Sequence, residues 1–189
     1  MLEELGARTI DFDVLSRVVV EPDKPAWRDI VSFFGEQVLL EDRTLDREKL
    51  REEVFRDLEK KKKLEGFTHP RMGEEFMKLV RRYVDEDPNA IIQVVAPLLI
   101  EANMHPLFHN ILMVYASEAE QKRRLIKRDE MTEEMATNMI RSQLSVEEKK
   151  GYCDLIIDNS GTEQETRKQV EKLWKNLKKL RQERKGSRV

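Results

Sequence analysis

The stretch Ala90-Ile91-Ile92-Gln93-Val94-Val95 decides the fold class. It is a near-continuous apolar run, the kind expected of a strand covered on both faces in a parallel sheet flanked by helices. Asn110-Ile111-Leu112-Met113-Val114-Tyr115 reads the same way, as does Asp154-Leu155-Ile156-Ile157. Thr9-Ile10-Asp11, near the start, is a fourth and shorter strand candidate. Helix-length amphipathic segments separate these runs, and that alternation predicts an α/β fold with a parallel sheet.

Helix starts are legible between the strands. Ser117-x-x-Glu120 and Thr162-x-x-Glu165 have the capping-box pattern, in which a hydroxyl and a carboxylate satisfy backbone donors at the first turn. Pro25, followed by Trp27, Ile30, Val31 and Phe34 and then Gly35, predicts a helix opened by proline and closed by glycine. Asp46 is placed to cap a helix carrying Leu50, Val54 and Phe55. The run Lys60-Lys61-Lys62-Lys63 lies between Leu58 and Leu64 and reads as a solvated helix face rather than a binding patch. No strand is expected from Glu21 to Val84, so this block is a helical insertion, and a second helical excursion runs from about Arg124 to Lys149. In the last helix Val170, Leu173, Trp174, Leu177 and Leu180 form one apolar stripe for packing, opposite a strongly basic face.

Composition narrows the class. Charged residues make up 38% of the 189, yet the net charge is only −2, which excludes a generally cationic nucleic-acid binder. No apolar run approaches the ~20 residues of a membrane span. The first twenty residues lack the pattern of a secretory signal. A single cysteine, Cys153, permits no internal disulfide and fits a reducing compartment such as the cytoplasm.

Two groups of residues have the chemistry of a site. Asp11 and Asp13 stand two apart at a strand end, a spacing that in extended chain points both carboxylates the same way. A carboxylate there can take a proton from an attacking hydroxyl or hold a water on Mg²⁺. Arg124 and Arg128 stand four apart, share a helix face, and could clamp a polyphosphate; a salt-bridged helix surface is the alternative. Glu101, His105 and His109 fall at four-residue intervals, but Pro106 interrupts the helix that a metal site of that spacing would need, and no metal ligand is assigned.

Taken in order, Ile10-Asp11-Phe12-Asp13-x-x-x-Arg17-x-Val19-Val20-Glu21-Pro22, Thr68-His69-Pro70, Ala96-Pro97-Leu98-Leu99, Gln121-x-x-Arg124-x-x-x-Arg128-Asp129 and Ile157-Asp158-Asn159-Ser160-Gly161 resemble the dephospho-CoA kinase family. The first motif is similar to the family's I-D-A-D-x-x-x-R-x-V-V-x-P, with Phe12 in place of a small residue. The resemblance runs from about Leu2 to the C-terminal helix. It implies a P-loop kinase-like core with a parallel sheet, a helical coenzyme-binding insertion and a helical lid. The implied division is a core of residues 1–20, 88–123 and 150–189, an insertion of 21–87 and a lid of 124–149. It also implies ATP, Mg²⁺ and dephospho-CoA as partners, with phosphorylation of the ribose 3′-hydroxyl in the last step of coenzyme A synthesis. On that match Asp13 is the general base and Arg128 a catalytic lid arginine. Arg124, Asn159 and Gly161 bind the nucleotide, while Asp11, Arg17 and His69 lie on the substrate side. His69-Pro70 is expected to open a helix, and Asn159 and Gly161 to give a tight turn with exposed backbone polar groups. Arg141 and Gln143 belong to the same lid region.

The family's phosphate cradle has the pattern G-x-x-x-x-G-K-[ST], in which backbone donors, a lysine and a hydroxyl hold the phosphates and Mg²⁺. None of the seven glycines here begins it. The resemblance therefore implies that a central first strand and its loop are missing, as in an N-terminally truncated kinase inactive as written. The alternative is a non-catalytic coenzyme-binding relative. Either way, the Ala90–Val95 and Asn110–Tyr115 strands are not expected to be hydrogen-bonded neighbours.

Overall fold

The computed structural model describes residues 1–186, with side chains as far as residue 183. Its elements run in the order β1 (Arg8–Asp11), α1 (Phe12–Val18), α2 (Pro25–Phe34), α3 (Arg47–Phe55), α4 (Leu58–Glu86), β2 (Ile92–Val95), β3 (Leu112–Tyr115), α5 (Glu118–Asp129), α6 (Glu133–Arg141), α7 (Val146–Lys150), β4 (Leu155–Asp158) and α8 (Glu163–Gly186). The fold is α/β with parallel strand pairing, as the alternating pattern predicts. The four expected strands are all present, in two two-stranded parallel ladders of order β1-β2 and β3-β4. Thus β2 and β3 fall in different ladders, as expected.

The chain divides into two compact units. The helical unit, Ala7–Ala96, holds β1, β2 and the helices between them. Its core is not centred on the strands. Trp27, Ile30 and Phe34 of α2 bury themselves with Val38, Leu45 and Leu50. Trp27 donates its indole N–H to the Arg43 carbonyl at 2.9 Å, which satisfies the one polar atom that the core would otherwise strand. On the ladder, Ile10 is buried, and Tyr83 of α4 donates its hydroxyl to the Thr9 carbonyl at 3.3 Å.

The second unit, called here the pocket unit, comprises Met1–Gly6 and the chain from Pro97 onward. Ile157 of β4 with Val170 and Leu173 of α8 forms its core, and Met1, Leu2, Leu5 and Leu177 pack against it. The expected α8 stripe is therefore a packing face, although Leu180 at its end is exposed. Gly6 has φ +108°, a conformation costly for any residue with a Cβ, and it lets the chain turn beside the Trp174 ring.

Four expectations need correction. The strands are not covered on both faces, since Val114 is 60% exposed and Ile156 47%. A two-stranded ladder has two edges and little interior, so an apolar run alone does not secure burial. Asp11 and Asp13 do not share an extended segment. Asp11 ends β1 and caps α1, accepting from the Asp13 and Val14 amides at 2.8 and 3.2 Å, so Asp13 lies in a helical turn. His69-Pro70 does not open a helix but lies inside the 29-residue α4. Pro70 supplies no donor for the Gly66 carbonyl four residues back. Nearby side chains bond other carbonyls, Thr68 that of Leu64 (2.9 Å) and Arg71 that of Phe67 (2.6 Å). Finally, only half of the Ser117 capping box forms. Its hydroxyl accepts from the Glu120 amide at 3.3 Å, but the Glu120 carboxylate is drawn to two arginines.

The lysine run opening α4 behaves as a solvated face. Lys60 pairs with Glu53, Lys61 with Glu65 at 3.9 Å and Lys62 with Glu59 at 2.7 Å.

Candidate active site

The pocket unit contains an open cavity of about 1410 Å³, walled by the end of β3, by α5 and α6, by the α6–α7 connector and α7, and by Asn159 after β4. Arg124 and Arg128 both line it, as do Arg141 and Gln143. Arg123, Lys127 and Lys149 also line it, so cationic side chains outnumber the carboxylates of Glu118, Glu147 and Glu148 there.

The strand ends and α5 are tied together by one chain of hydrogen bonds. Asn159 donates its amide to the Tyr115 carbonyl at 2.7 Å. Its own carbonyl accepts from the Arg124 guanidinium at 2.6 Å, and its side-chain oxygen accepts from the Thr166 hydroxyl at 3.0 Å. Arg124 also donates to Glu120 at 2.6 Å, and Arg123 binds the same carboxylate through two bonds of 2.8 and 2.7 Å. These bonds from Arg123, then Arg124, hold the Glu120 carboxyl down to about 2. Asn159 thus presents neither its N–H nor its C=O to a ligand, contrary to the expectation of exposed backbone groups at this turn. Gln121 anchors the start of α5 through the Ala116 carbonyl at 2.8 Å.

Arg128 forms a two-bond pair, 2.7 Å each, with its neighbour Asp129 and stays 70% exposed. The pairing raises the guanidinium and lowers the Asp129 carboxyl from their usual values. Arg141 and Lys127 make no side-chain bond or ion pair among the described residues, so their charge is uncommitted. Gly161 follows the turn. A Cβ there would sit 2.5 Å from the Glu165 carboxylate oxygen. That oxygen accepts from the Thr162 amide and hydroxyl, both at 2.8 Å, in the complete capping box of α8. Glycine at 161 therefore protects the cap that anchors the turn.

The remaining predicted site residues belong to the helical unit. Asp13 and Arg17 lie exposed on α1, four residues apart, and neither side chain has a partner among the described residues. Phe12, bulky where the resembled motif has a small residue, stacks obliquely on Phe76 of α4 with ring centroids 5.5 Å apart. His69 precedes Phe76 by seven residues and so shares its face of α4, about 10 Å along the axis. It is exposed and has no side-chain partner among the described residues. The structure therefore groups Arg124, Arg128 and Asn159 around one cavity, with Gly161 just beyond, and Asp11, Asp13 and Arg17 on one strand-to-helix turn.

Residues 1–165 match the CoaE dephospho-CoA kinase family. The chain is 44% identical over 188 residues to a dephospho-CoA kinase of Syntrophus aciditrophicus, covering 99% of this chain and 80% of that one. The chain belongs to the dephospho-CoA kinase family. A Bacillus cereus dephospho-CoA kinase is 40% identical over 176 residues, with 93% and 88% coverage. Among solved structures, a Thermus thermophilus protein superposes with a TM-score of 0.78 at 27% identity, covering 91% of this chain and 85% of its own. A dephospho-CoA kinase from Campylobacter jejuni gives 0.68, also at 27%, with 94% and 88% coverage.

Sequence reasoning missed two parts of this dephospho-CoA kinase family site. Glu120, read as a cap, organises the arginines of α5; its spacing of three and four residues from Arg123 and Arg124 was the available signal. The second is the ion pair of Glu101 with Lys149, at 2.7 Å. Burial pushes the Glu101 carboxyl up, but Lys149 and the local backbone donors outweigh it and leave it lowered. This pair joins distant segments and has no local signature. Glu101 is thus committed to a lysine. His105, its neighbour in the four-residue pattern, lies in a 3₁₀ turn, its buried Nδ1 without a hydrogen-bond partner among the described residues and its ring edge-on to Tyr152 at 4.9 Å.

Proposed function

We propose that the chain serves ATP-dependent phosphorylation of the ribose 3′-hydroxyl of dephospho-CoA, the last step of coenzyme A biosynthesis, in the cytoplasm. Family membership carries this reading, and the cation-lined cavity of the pocket unit supports it. In this reading the cavity receives ATP, which arrives as its Mg²⁺ complex. Arg128, with the uncommitted Arg141 and Lys127, faces the phosphates, and Arg124 holds Asn159 and the turn to Gly161 in place for the nucleotide. Asp13 takes the proton of the attacking ribose hydroxyl. Asp11 fixes the start of α1 and with it the direction of Asp13, and Arg17 and His69 meet the coenzyme. Residues 21–87 are the coenzyme-binding insertion, 124–149 the lid, and the remaining segments the core. Phosphoryl transfer of this kind relies on positioning and on neutralising charge.

One observation favours a second reading, a coenzyme-binding protein that does not turn over ATP. The sequence contains no G-x-x-x-x-G-K-[ST]. That pattern supplies much of the preorganised charge stabilisation in this chemistry. Calorimetric titration of the 189-residue chain with ATP and with dephospho-CoA, together with a phosphoryl-transfer assay, separates the two. Both ligands are expected to bind; measurable transfer supports the first reading, and transfer close to nil the second. Turnover within about tenfold of a relative's would show that the chain completes the reaction without that pattern. Absence of ATP binding would remove the nucleotide reading of the cavity.

A further inference from the structure

The connector between α6 and α7 forms one wall of the cavity, through Gln143, Leu144 and Ser145. Its placement depends on a residue that does not line the cavity. Glu101, in the turn after the Pro97-Leu98-Leu99 motif, accepts from Lys149 Nζ at 2.7 Å and from the Leu144 amide at 3.2 Å through the same oxygen. Lys149 also donates to the Gln143 side-chain oxygen at 3.1 Å. Carboxylate and ammonium together therefore grip two consecutive residues of the connector. The pair differs from the others on the molecule. Its side chains are only 21% and 14% exposed, the most covered ion pair among the described residues, whereas most of the rest join near neighbours at the surface. A covered pair is costly to break from one side, because the remaining charge loses its partner without regaining water.

We propose that Glu101 is a positioning residue for the nucleotide. Through Lys149 and the Leu144 amide it fixes the α6–α7 connector, and so sets the wall that ATP meets. This rests on the reading of the cavity as the ATP site. The wall carries Gln143 and abuts Arg141, whose charge is uncommitted, so a loosened connector displaces the groups that meet the phosphates. Displacements of about 1 Å are enough to weaken contacts of this kind.

The test uses the 189-residue chain with Glu101→Gln, Lys149→Met and Lys149→Arg. Amide hydrogen exchange is followed at Leu144, and ATP and dephospho-CoA affinities are measured alongside the melting temperature. Glu101→Gln and Lys149→Met should speed exchange at Leu144 by about tenfold, the loss expected for a bond to a charged acceptor. They should weaken ATP by roughly three- to tenfold and leave dephospho-CoA affinity unchanged. Lys149→Arg keeps a charged donor to Glu101 and should leave exchange at Leu144 as slow as in the parent. Unchanged exchange at Leu144 in Glu101→Gln overturns the proposal. So does faster exchange with ATP affinity intact, or a parallel loss of both ligands with the melting temperature, which marks general destabilisation. If the parent chain binds no ATP, the reading of the cavity fails. The hold on the connector is then still decided by exchange at Leu144 and its retention in Lys149→Arg.

Discussion

Arg124 of α5 shares the carboxylate of Glu120, four residues back, with Arg123, whereas Asp13 and Arg17 of α1, also four residues apart, make no side-chain bond among the described residues. Both helices follow a parallel strand, and both carry residues of the family's motifs. In a chain that is 38% charged, ion pairing is the ordinary fate of a side chain, so the unspent groups are the informative ones. Exposed and solvated, Asp13 and Arg17 cost the fold little and remain free for a ligand. On α5 the same residue types have become structure: Arg124 bolts the helix to the turn after β4 through Asn159. Arg128 stands between these cases, paired only with its exposed neighbour.

Substitutions should separate the two regions by which measurement they move. The largest effect is expected at Asp13. In a form of the chain carrying an added strand and phosphate loop of the family's pattern, Asp13→Asn should lower turnover by about 10²–10⁴-fold, the range for losing a general base. Substrate affinities and melting temperature should barely change. Near-normal turnover would mean that Asp13 is not the base, and a large fall in melting temperature would mean that its charge is not idle.

Arg124→Ala should act chiefly on stability. It removes the bonds to Glu120 and to the Asn159 carbonyl, and at a partly exposed site we expect a loss of about 1 kcal/mol in chemical denaturation. Arg124→Lys keeps the charge but cannot span both acceptors, and should fall between. An Arg124→Ala protein of parental stability that no longer binds ATP would place Arg124 with the uncommitted residues instead.

The sequence announced the strands and most helix starts because those signals are local: apolar runs, a proline followed by an amphipathic turn, Asp46 and Thr162 at their caps. It misread Asp11-x-Asp13 because one carboxylate closes the strand and opens a helix within two residues, and an alternation rule cannot see that change. It misread Pro70 because a long helix held by packing on both sides of a proline overrides the local preference for a break. The arginines of the site were legible from their spacing. Their commitments were not, since the Asn159 carbonyl and Glu101 reach their partners only through the fold.

Acid should dissolve the α5 cluster by protonating the Glu120 carboxylate that Arg123 and Arg124 share. The Glu120 carboxyl is held at about 2 against an ordinary 4.5, so the stability it supplies is fully present above about pH 4.5. It fades as pH falls from there toward 2. The melting-temperature difference between parent and Glu120→Gln should stay constant from neutrality to about pH 5 and then shrink. A difference that is flat across the acid range would show that Glu120 carries no paired charge.

The smallest stability change is expected for Arg128→Ala, since an exposed pair with an adjacent residue contributes little. ATP affinity should fall more for Arg128→Ala than for Arg128→Lys, and Lys should not restore it fully, because one ammonium cannot reproduce a two-bond guanidinium contact. A marked drop in melting temperature would move Arg128 to the structural side of the comparison.

The two tryptophans offer a spectroscopic consequence of the way the chain divides. Trp27 lies in the core of the helical unit and Trp174 beside Gly6 in the pocket unit, so each unit carries one tryptophan. Trp27 is buried, whereas Trp174 is only partly buried and has the Lys178 ammonium 5.8 Å from its ring centroid. Their emission should differ in wavelength and in quenching by iodide. With Trp27→Phe and Trp174→Phe, one denaturant titration followed at each remaining indole would show whether the two units melt in a single transition or in sequence.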